Sequence, residues 1–217
     1  MSKDRYHNEI DKLKSKVQEM GNLAATMLKE SIESLKLFDG EKAKEIISLK
    51  TKLSTLDSTI EEESLQLIAL HQPVASDMRT LGAILKIITY LNRIGRYGKD
   101  IAAITIEMDG RSHFSDLIEI PLMSSKVNRM LKDTLLCLKS GDISIIKNMS
   151  ERDTVIDQMR WQIFRECLDY MFEEKENIEM GAYYMMAARY LERCADHVCK
   201  ICEKAHYMYT GDRVEFK

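Results

Sequence analysis

Two prolines, nine glycines and one tryptophan in 217 residues leave little material for turns, and aromatic residues make up only 7% of the chain. Such scarcity excludes a loop-rich or collagen-like protein. The Leu, Ile, Lys, Glu and Met that fill the chain instead favour helix almost throughout. No run approaches ~18 consecutive apolar residues, so no segment is expected to span a bilayer as a helix. Neither charge dominates: 32 basic residues face 35 acidic ones, a net charge of −3, which leaves no electrostatic footprint for nucleic acid. The five cysteines (Cys137, Cys167, Cys194, Cys199, Cys202) are odd in number and lie in helical stretches, against a disulfide framework. Met1-Ser2-Lys3-Asp4-Arg5 leads into charged helical sequence without an apolar signal core, so a cytoplasmic location is expected. Glycine-rich phosphate loops, nucleophile elbows and basic–aromatic strips are all missing.

What the chain does contain is a repeat. Tyr90-Leu91-Asn92-Arg93 returns one hundred residues later as Tyr190-Leu191-Glu192-Arg193, an offset that signals two copies of one unit rather than a short-period solenoid. Residues 1–110 hold 16 basic and 17 acidic side chains, against 16 and 18 in the remainder. Any electrostatic difference between the copies is therefore local.

Helical periodicity is nearly continuous, so the breaks set the organisation. Asp39-Gly40 ends a first helix, residues 41–70 form a second, and His71-Gln72-Pro73 stops it because proline cannot continue a helix interior. A third helix covers about 76–108, and Asp109-Gly110-Arg111-Ser112 reads as the linker. The second copy follows the same plan. One helix spans roughly 116–139, Ser140-Gly141-Asp142 matches Phe38-Asp39-Gly40, and the next helix reaches about Phe172. Glu173–Asn177 forms the next turn, and a last helix runs to about Tyr209. The expected fold is all-α, a tandem repeat of two three-helix bundles with domains at 1–110 and 111–217.

The duplication locates a candidate site. Glu192 and Asp196 lie at i and i+4, on one helical face. Asp153 and Asp157 form a second such pair, and the midpoint of the two pairs falls inside the 173–177 turn. In an antiparallel hairpin the four carboxylates should therefore meet at one height. In the first copy the matching slots are Lys50/Ser54 and Asn92/Arg96, centred on Pro73. Four crowded carboxylates either hold protons or surround a cation. All-oxygen ligation suits Mg, Ca, Mn or Fe(II). Cys199, one turn past Asp196, would shift preference toward Zn or Fe as a thiolate, and Glu203, two turns past, lengthens the strip. The plainer alternative is that Glu192-Arg193 and Asp196-Lys200 are ordinary solvated helix pairs, worth a few tenths of a kcal/mol each.

These segments carry a resemblance. Gln72-Pro73-Val74-Ala75-Ser76-Asp77-Met78-Arg79, Arg152-Asp153-Thr154-Val155-Ile156-Asp157, Arg189-Tyr190-Leu191-Glu192-Arg193-Cys194-Ala195-Asp196-His197 and Tyr207-Met208-Tyr209-Thr210-Gly211 together resemble the PhoU family of phosphate-transport accessory proteins. The resemblance implies two similar three-helix bundles, a homodimer, and a Glu/Asp-x-x-x-Asp metal motif in each bundle. It also implies a non-enzymatic, negatively regulating link between a phosphate ABC transporter and a membrane sensor histidine kinase. The protein would then reach the membrane only through its partners. The first bundle departs from the pattern at Lys50, Asn92, Arg96 and Lys99. Either it is a metal-free bundle packed by its apolar stripe, or Arg96 takes the cation's place by pairing with Asp57 or Asp100.

Two other readings remain. One is an adaptor of the same fold serving another transporter or kinase. The other is a carboxylate-bridged di-iron enzyme, which needs Glu-x-x-His on two helices, whereas the chain offers only Glu203-Lys204-Ala205-His206. Cys194 and Cys202 fall on the apolar arc as buried small residues. His71 reads as a turn residue and His197 as a helix-surface residue. Met171, Met180, Met185 and Met186 are expected in core or dimer packing.

Overall fold

The computed structural model describes residues 3–108, 111, 113 and 119–216. They form six helices: α1 (Lys3–Leu37), α2 (Gly40–His71), α3 (Ala75–Glu107), α4 (Glu119–Ser140), α5 (Met149–Glu173) and α6 (Asn177–Thr210). No strand occurs among the described residues, in agreement with the expected all-α fold. Of the expected linker 109–112 only Arg111 is described, paired with Glu179 at 2.8 Å. The expected start of the fourth helix at 116 lies outside the described residues.

Local chemistry explains where the helices stop. After α1, Phe38 takes a left-handed conformation (φ 50°), and the Asp39 carboxylate accepts the Lys42 N–H at 2.9 Å to cap α2. After α4, Gly141 (φ 77°) and Asp142 repeat that arrangement, the Asp142 carboxylate accepting the Ser144 N–H at 2.9 Å. The expected match of the two turns therefore holds at its start only with a one-residue shift, Phe38 corresponding to Gly141 and Asp39 to Asp142. It then diverges, because a 3-10 turn (Ile143–Ile146) intervenes and α5 begins only at Met149. Gln72 (φ 45°) closes α2 immediately before Pro73, whose ring disfavours helical backbone in the residue before it.

The outer helices have narrow core stripes. On α2 the buried Ile46, Leu53, Ile60 and Leu67 recur every seventh residue, and on α5 Met149, Ile156 and Ile163 do the same. α2 packs on α1 and α3, while α5 packs mainly on α6. Between these hairpins the core is continuous: α1 lies against α3 and α4, and α6 against α3 and α4. Cross-links follow the same seams. Gln18 Nε2 donates to the Leu135 carbonyl at 2.8 Å, and Tyr209 Oη donates to the Leu138 carbonyl at 2.6 Å.

α3 and α6, the equivalent helices of the two copies, pack on each other through rings. Tyr90 stacks on His197 at 5.7 Å and Tyr97 on Tyr190 at 5.4 Å between centroids. Position 90 faces 197 while 97 faces 190, so the helices run antiparallel about a local twofold axis. This corrects the reading of His197 as a surface residue. It lies half-buried between the copies, also 5.9 Å from Tyr97, and burial lowers its pKa. His71 ends α2 and meets the Tyr6 ring at 5.3 Å. Cys194 and Cys202 are fully buried, as their apolar arc requires, and Met180 is buried with them, whereas Met186 is 43% exposed.

At Gly98, α3 comes close to the backbone of α1. A Cβ there would stand 2.8 Å from the Met27 carbonyl carbon and 2.9 Å from the Leu28 nitrogen of α1. Backbone cannot yield as a side-chain tip can, so Gly98→Ala should destabilise by about 1–3 kcal/mol. At exposed Gly82 of the same helix a Cβ meets nothing within 4 Å, so Gly82→Ala should stabilise by up to about 1 kcal/mol through helix propensity. Thermal melts of the two variants should shift in opposite directions.

Candidate metal centre

The α5–α6 hairpin brings the four predicted carboxylates into one electrostatic group. Asp153 feels Asp196, Asp157 and Glu192, and Asp157 in turn feels Asp196. Burial is the largest effect on Asp153, and with the neighbouring charges it raises the carboxyl from its ordinary 3.8 to about 6. Asp157 and Glu192 are raised in the same direction, again mainly by burial. Cys199 adjoins the group, its thiol near enough to Asp153 for each to shift the other. Burial pushes this thiol far above its usual range, with Asp153 adding to the effect. It sits there as a protonated thiol.

Arginines hold the α6 acids. Arg189 Nη1 donates to Glu192 Oε1, and Arg193 Nη1 donates to Asp196 Oδ2 at 2.8 Å. The Glu192 side chain is only 13% exposed, and its Oε2, 3.7 Å from Arg193 Nε, is buried without a hydrogen bond. Among the described residues, no three His, Cys, Asp or Glu side chains converge at metal-ligand spacing. The donor set nevertheless fits a hard divalent cation in its chemistry. Like-charged carboxylates repel one another, and one buried oxygen lacks a hydrogen bond, the deficit that a cation relieves. Ligation would require the arginine-held acids to turn inward.

Glu203 is engaged elsewhere. It is 7% exposed, accepts from Lys200 Nζ at 2.7 Å and from the Phe216 N–H at 3.3 Å. His206, the other half of the Glu-x-x-His, bonds to the Asp212 carbonyl at 3.1 Å and to Thr210 at 3.2 Å. Both face the C-terminal segment, which removes the main residue argument for a di-iron site.

In the first copy the same hairpin geometry carries different chemistry. Asn92 Nδ2 donates to Asp57 Oδ2 at 3.0 Å, and burial raises the Asp57 carboxyl against the pull of that bond. Arg96 is exposed, Lys99 pairs with Asp100 at 2.7 Å, and Lys50 and Ser54 face solvent on α2. The pairing expected of Arg96 with Asp57 or Asp100 is not what the structure contains. An amide, one turn earlier, meets the acid instead. The expected pairing of Arg193 with Glu192 is present at 3.7 Å, but Lys200 pairs with Glu203 rather than Asp196. The sequence reading left out Arg189 and Arg160, although Arg189 at i−3 from Glu192 was an available signal.

The PhoU domain family model matches residues 17–105 and again 120–205, one match in each copy. The chain belongs to the PhoU family. It is 30% identical over 216 residues to the phosphate-specific transport system accessory protein PhoU homolog of Clostridium acetobutylicum, covering 99% of both chains. To the Caulobacter vibrioides homolog it is 34% identical over 212 residues, covering 96% of this chain and 91% of the other. The crystal structure of PhoU from Pseudomonas aeruginosa superposes with a TM-score of 0.90 at 25% identity over 95% of this chain and all of that one. The phosphate transport system regulatory protein PhoU from Streptococcus pneumoniae gives 0.89 at 26% identity over 97% and 99%.

A carboxylate with a raised native pKa binds a proton that the unfolded chain has already released, so it favours folding at low pH. For Asp153 this contribution is complete below about 3.8 and is lost as pH rises through about 6. In metal-free buffer Asp153 should therefore add stability as pH falls from about 7 to 5, against His197, whose lowered pKa removes stability in the same window. Asp153→Asn should remove that gain, so that the stability difference between wild type and variant changes across the pH series measured by urea denaturation.

Proposed function

We propose that this chain is a non-enzymatic regulator of phosphate uptake whose α5–α6 hairpin binds a divalent metal ion. The observation that carries the regulatory reading is the match of both copies to PhoU domains along relatives of nearly the same length. Those relatives are accessory proteins of phosphate-specific transport. Among the described residues no helix is long and apolar enough to cross a membrane, so attachment to a transporter would be through protein contacts. The partners proposed are a phosphate ABC transporter and a membrane sensor histidine kinase, with the chain acting as a cytoplasmic homodimer that damps starvation signalling.

No bond-making chemistry is required of it. An adaptor need only prefer one state of a bistable partner, and about 3 kcal/mol of differential affinity shifts populations by about a hundredfold. Deleting the gene should therefore leave phosphate-starvation genes expressed in abundant phosphate, as read by a reporter or transcript measurement. Normal repression in the deletion strain would favour an adaptor of the same fold serving another transporter or kinase.

The metal reading rests on the clustered carboxylates and on the buried Glu192 oxygen that lacks a hydrogen bond. Glu192, Asp196, Asp153 and Asp157 would hold the ion, and a divalent cation would supply the positive charge that their mutual repulsion calls for. Cys199, as a buried thiol, would orient Asp153. Arg189 and Arg193 occupy the acids otherwise and compete with the metal. Mg, Ca, Mn or Fe(II) suit such oxygen donors, and Zn would need the Cys199 thiolate that burial opposes.

The first copy tolerates Asn92 and Arg96 in the slots of Glu192 and Asp196, so these slots need not be acidic for folding. A Glu192→Asn/Asp196→Arg variant should stay helical in metal-free buffer. It should lose the stabilisation by added metal, which for a native-state ligand is ~2.7 kcal/mol at a hundred times its dissociation constant. Paired thermal melts with and without divalent metal test this. Unfolding of the variant in chelator would mean that the acids are structural.

A further inference from the structure

The antiparallel crossing of α3 and α6 sets the first turns of α3 beside the last turns of α6, and the C-terminal residues 213–215 close over them. Between them lies a cleft of about 780 Å3, within the range typical of small-molecule sites. Arg79 and Lys86 from α3, Lys204 from α6 and Arg213 from the C-terminal segment line it. None of the four forms an ion pair among the described residues. Arg79 Nε is buried without a hydrogen-bond partner, an N–H donor left unsatisfied where partners are normally found. Arg213 lies over the Tyr207 ring at 5.6 Å.

The cleft also contains two acids, Glu203 and Glu215, of which Glu203 pairs with another cation. Glu203 binds Lys200, and Glu215 adds its field to Lys200. Four cations against two acids leave the lining with an excess of two positive charges. Met78, Tyr207 and Val214 supply an apolar wall beside them.

The chain's own duplication shows that the fold does not require these charges. One hundred residues along, Arg79 corresponds to Glu179 and Lys86 to Met186, and Lys204 corresponds to Ile104 in the first copy. At that end of the α3–α6 pair, Arg111 takes Glu179 as its partner. The basic lining is therefore particular to one end of a pseudo-symmetric pair.

We propose that this cleft binds a small organic phosphate monoester. Such a ligand carries close to two negative charges at neutral pH, matching the excess, and arginine and lysine are the side chains that recognise phosphate. The apolar wall would take the organic part. The site is separate from the carboxylate cluster and does not depend on a metal there.

Calorimetric titration of the full-length, chelator-treated protein with glucose 6-phosphate and AMP tests it, with glucose, adenosine and inorganic phosphate as controls. At least one ester should bind saturably, and the dephosphorylated compounds should not bind. A Lys204→Gln/Arg213→Gln variant, checked for unchanged helicity, should bind that ester at least about tenfold more weakly, as expected when charge-assisted contacts are lost. Lys50→Gln, on the outer face of α2, should leave binding unaltered. An Arg79→Met variant should also bind more weakly, and Arg79→Lys should recover part of the loss. The proposal is overturned if neither ester binds at about 5 mM, far weaker than a formed site allows. Unchanged binding in the double variant, or inorganic phosphate binding as tightly as the esters, would overturn it equally.

Discussion

The stacking of Tyr90 on His197 and of Tyr97 on Tyr190 fixes how the two copies sit against each other, and most other features follow from that placement. Two ring pairs related by a local twofold lock both the direction and the register of α3 against α6. Direction brings the start of α3 to the end of α6, which creates the basic cleft. Register leaves Glu192 and Asp196 on the side of α6 that faces α5, away from the first copy. The buried seam also explains why the molecule has one core rather than two. α1, α3, α4 and α6 each give one flank to their own copy and another to its neighbour.

Each copy repeats a hairpin in which an outer helix rests on its partner by a narrow apolar stripe. Such a stripe leaves the flanking positions free of packing constraints, and those positions have diverged. In the second copy they hold four carboxylates and three arginines that share one electrostatic environment. In the first copy Asn92 donates to Asp57, Lys99 pairs with Asp100, and Lys50 and Arg96 are exposed. Both copies use an antiparallel hairpin of long helices, and the side chains at these positions carry the difference in chemistry. The arginines matter as much as the acids. They neutralise the cluster in part and set the competition that a cation would have to win.

Much of this was legible in the sequence because helices announce themselves locally. Pro73, Gly141 and Gly211 mark stops through backbone chemistry, and the expected helix ends fall within a few residues of the observed ones. The i, i+4 spacing of Glu192 and Asp196, with the midpoint argument across the 173–177 turn, put four acids at one height using only the geometry of an antiparallel hairpin. The 3-10 turn at Ile143–Ile146 escaped because a turn-capping Asp142 looks the same before a 3-10 turn as before an α-helix. His197 was misplaced because helical periodicity shows which face is apolar, whereas a tyrosine–histidine stack can bury a face that reads as polar.

The sequence by itself determined the helices, the duplication and the divergence of the two candidate sites, since all three are encoded in spacing along one chain. Tertiary structure decided which partners the charged side chains meet. Whether Asp57 pairs with Asn92 or Arg96, whether Glu203 joins the carboxylates or Lys200, and whether Arg79 meets Lys204 across a cleft depend on rotations of helices distant in sequence. A charged side chain several ångströms long can turn to either side of its helix. Only the packing of the neighbouring helix selects between them.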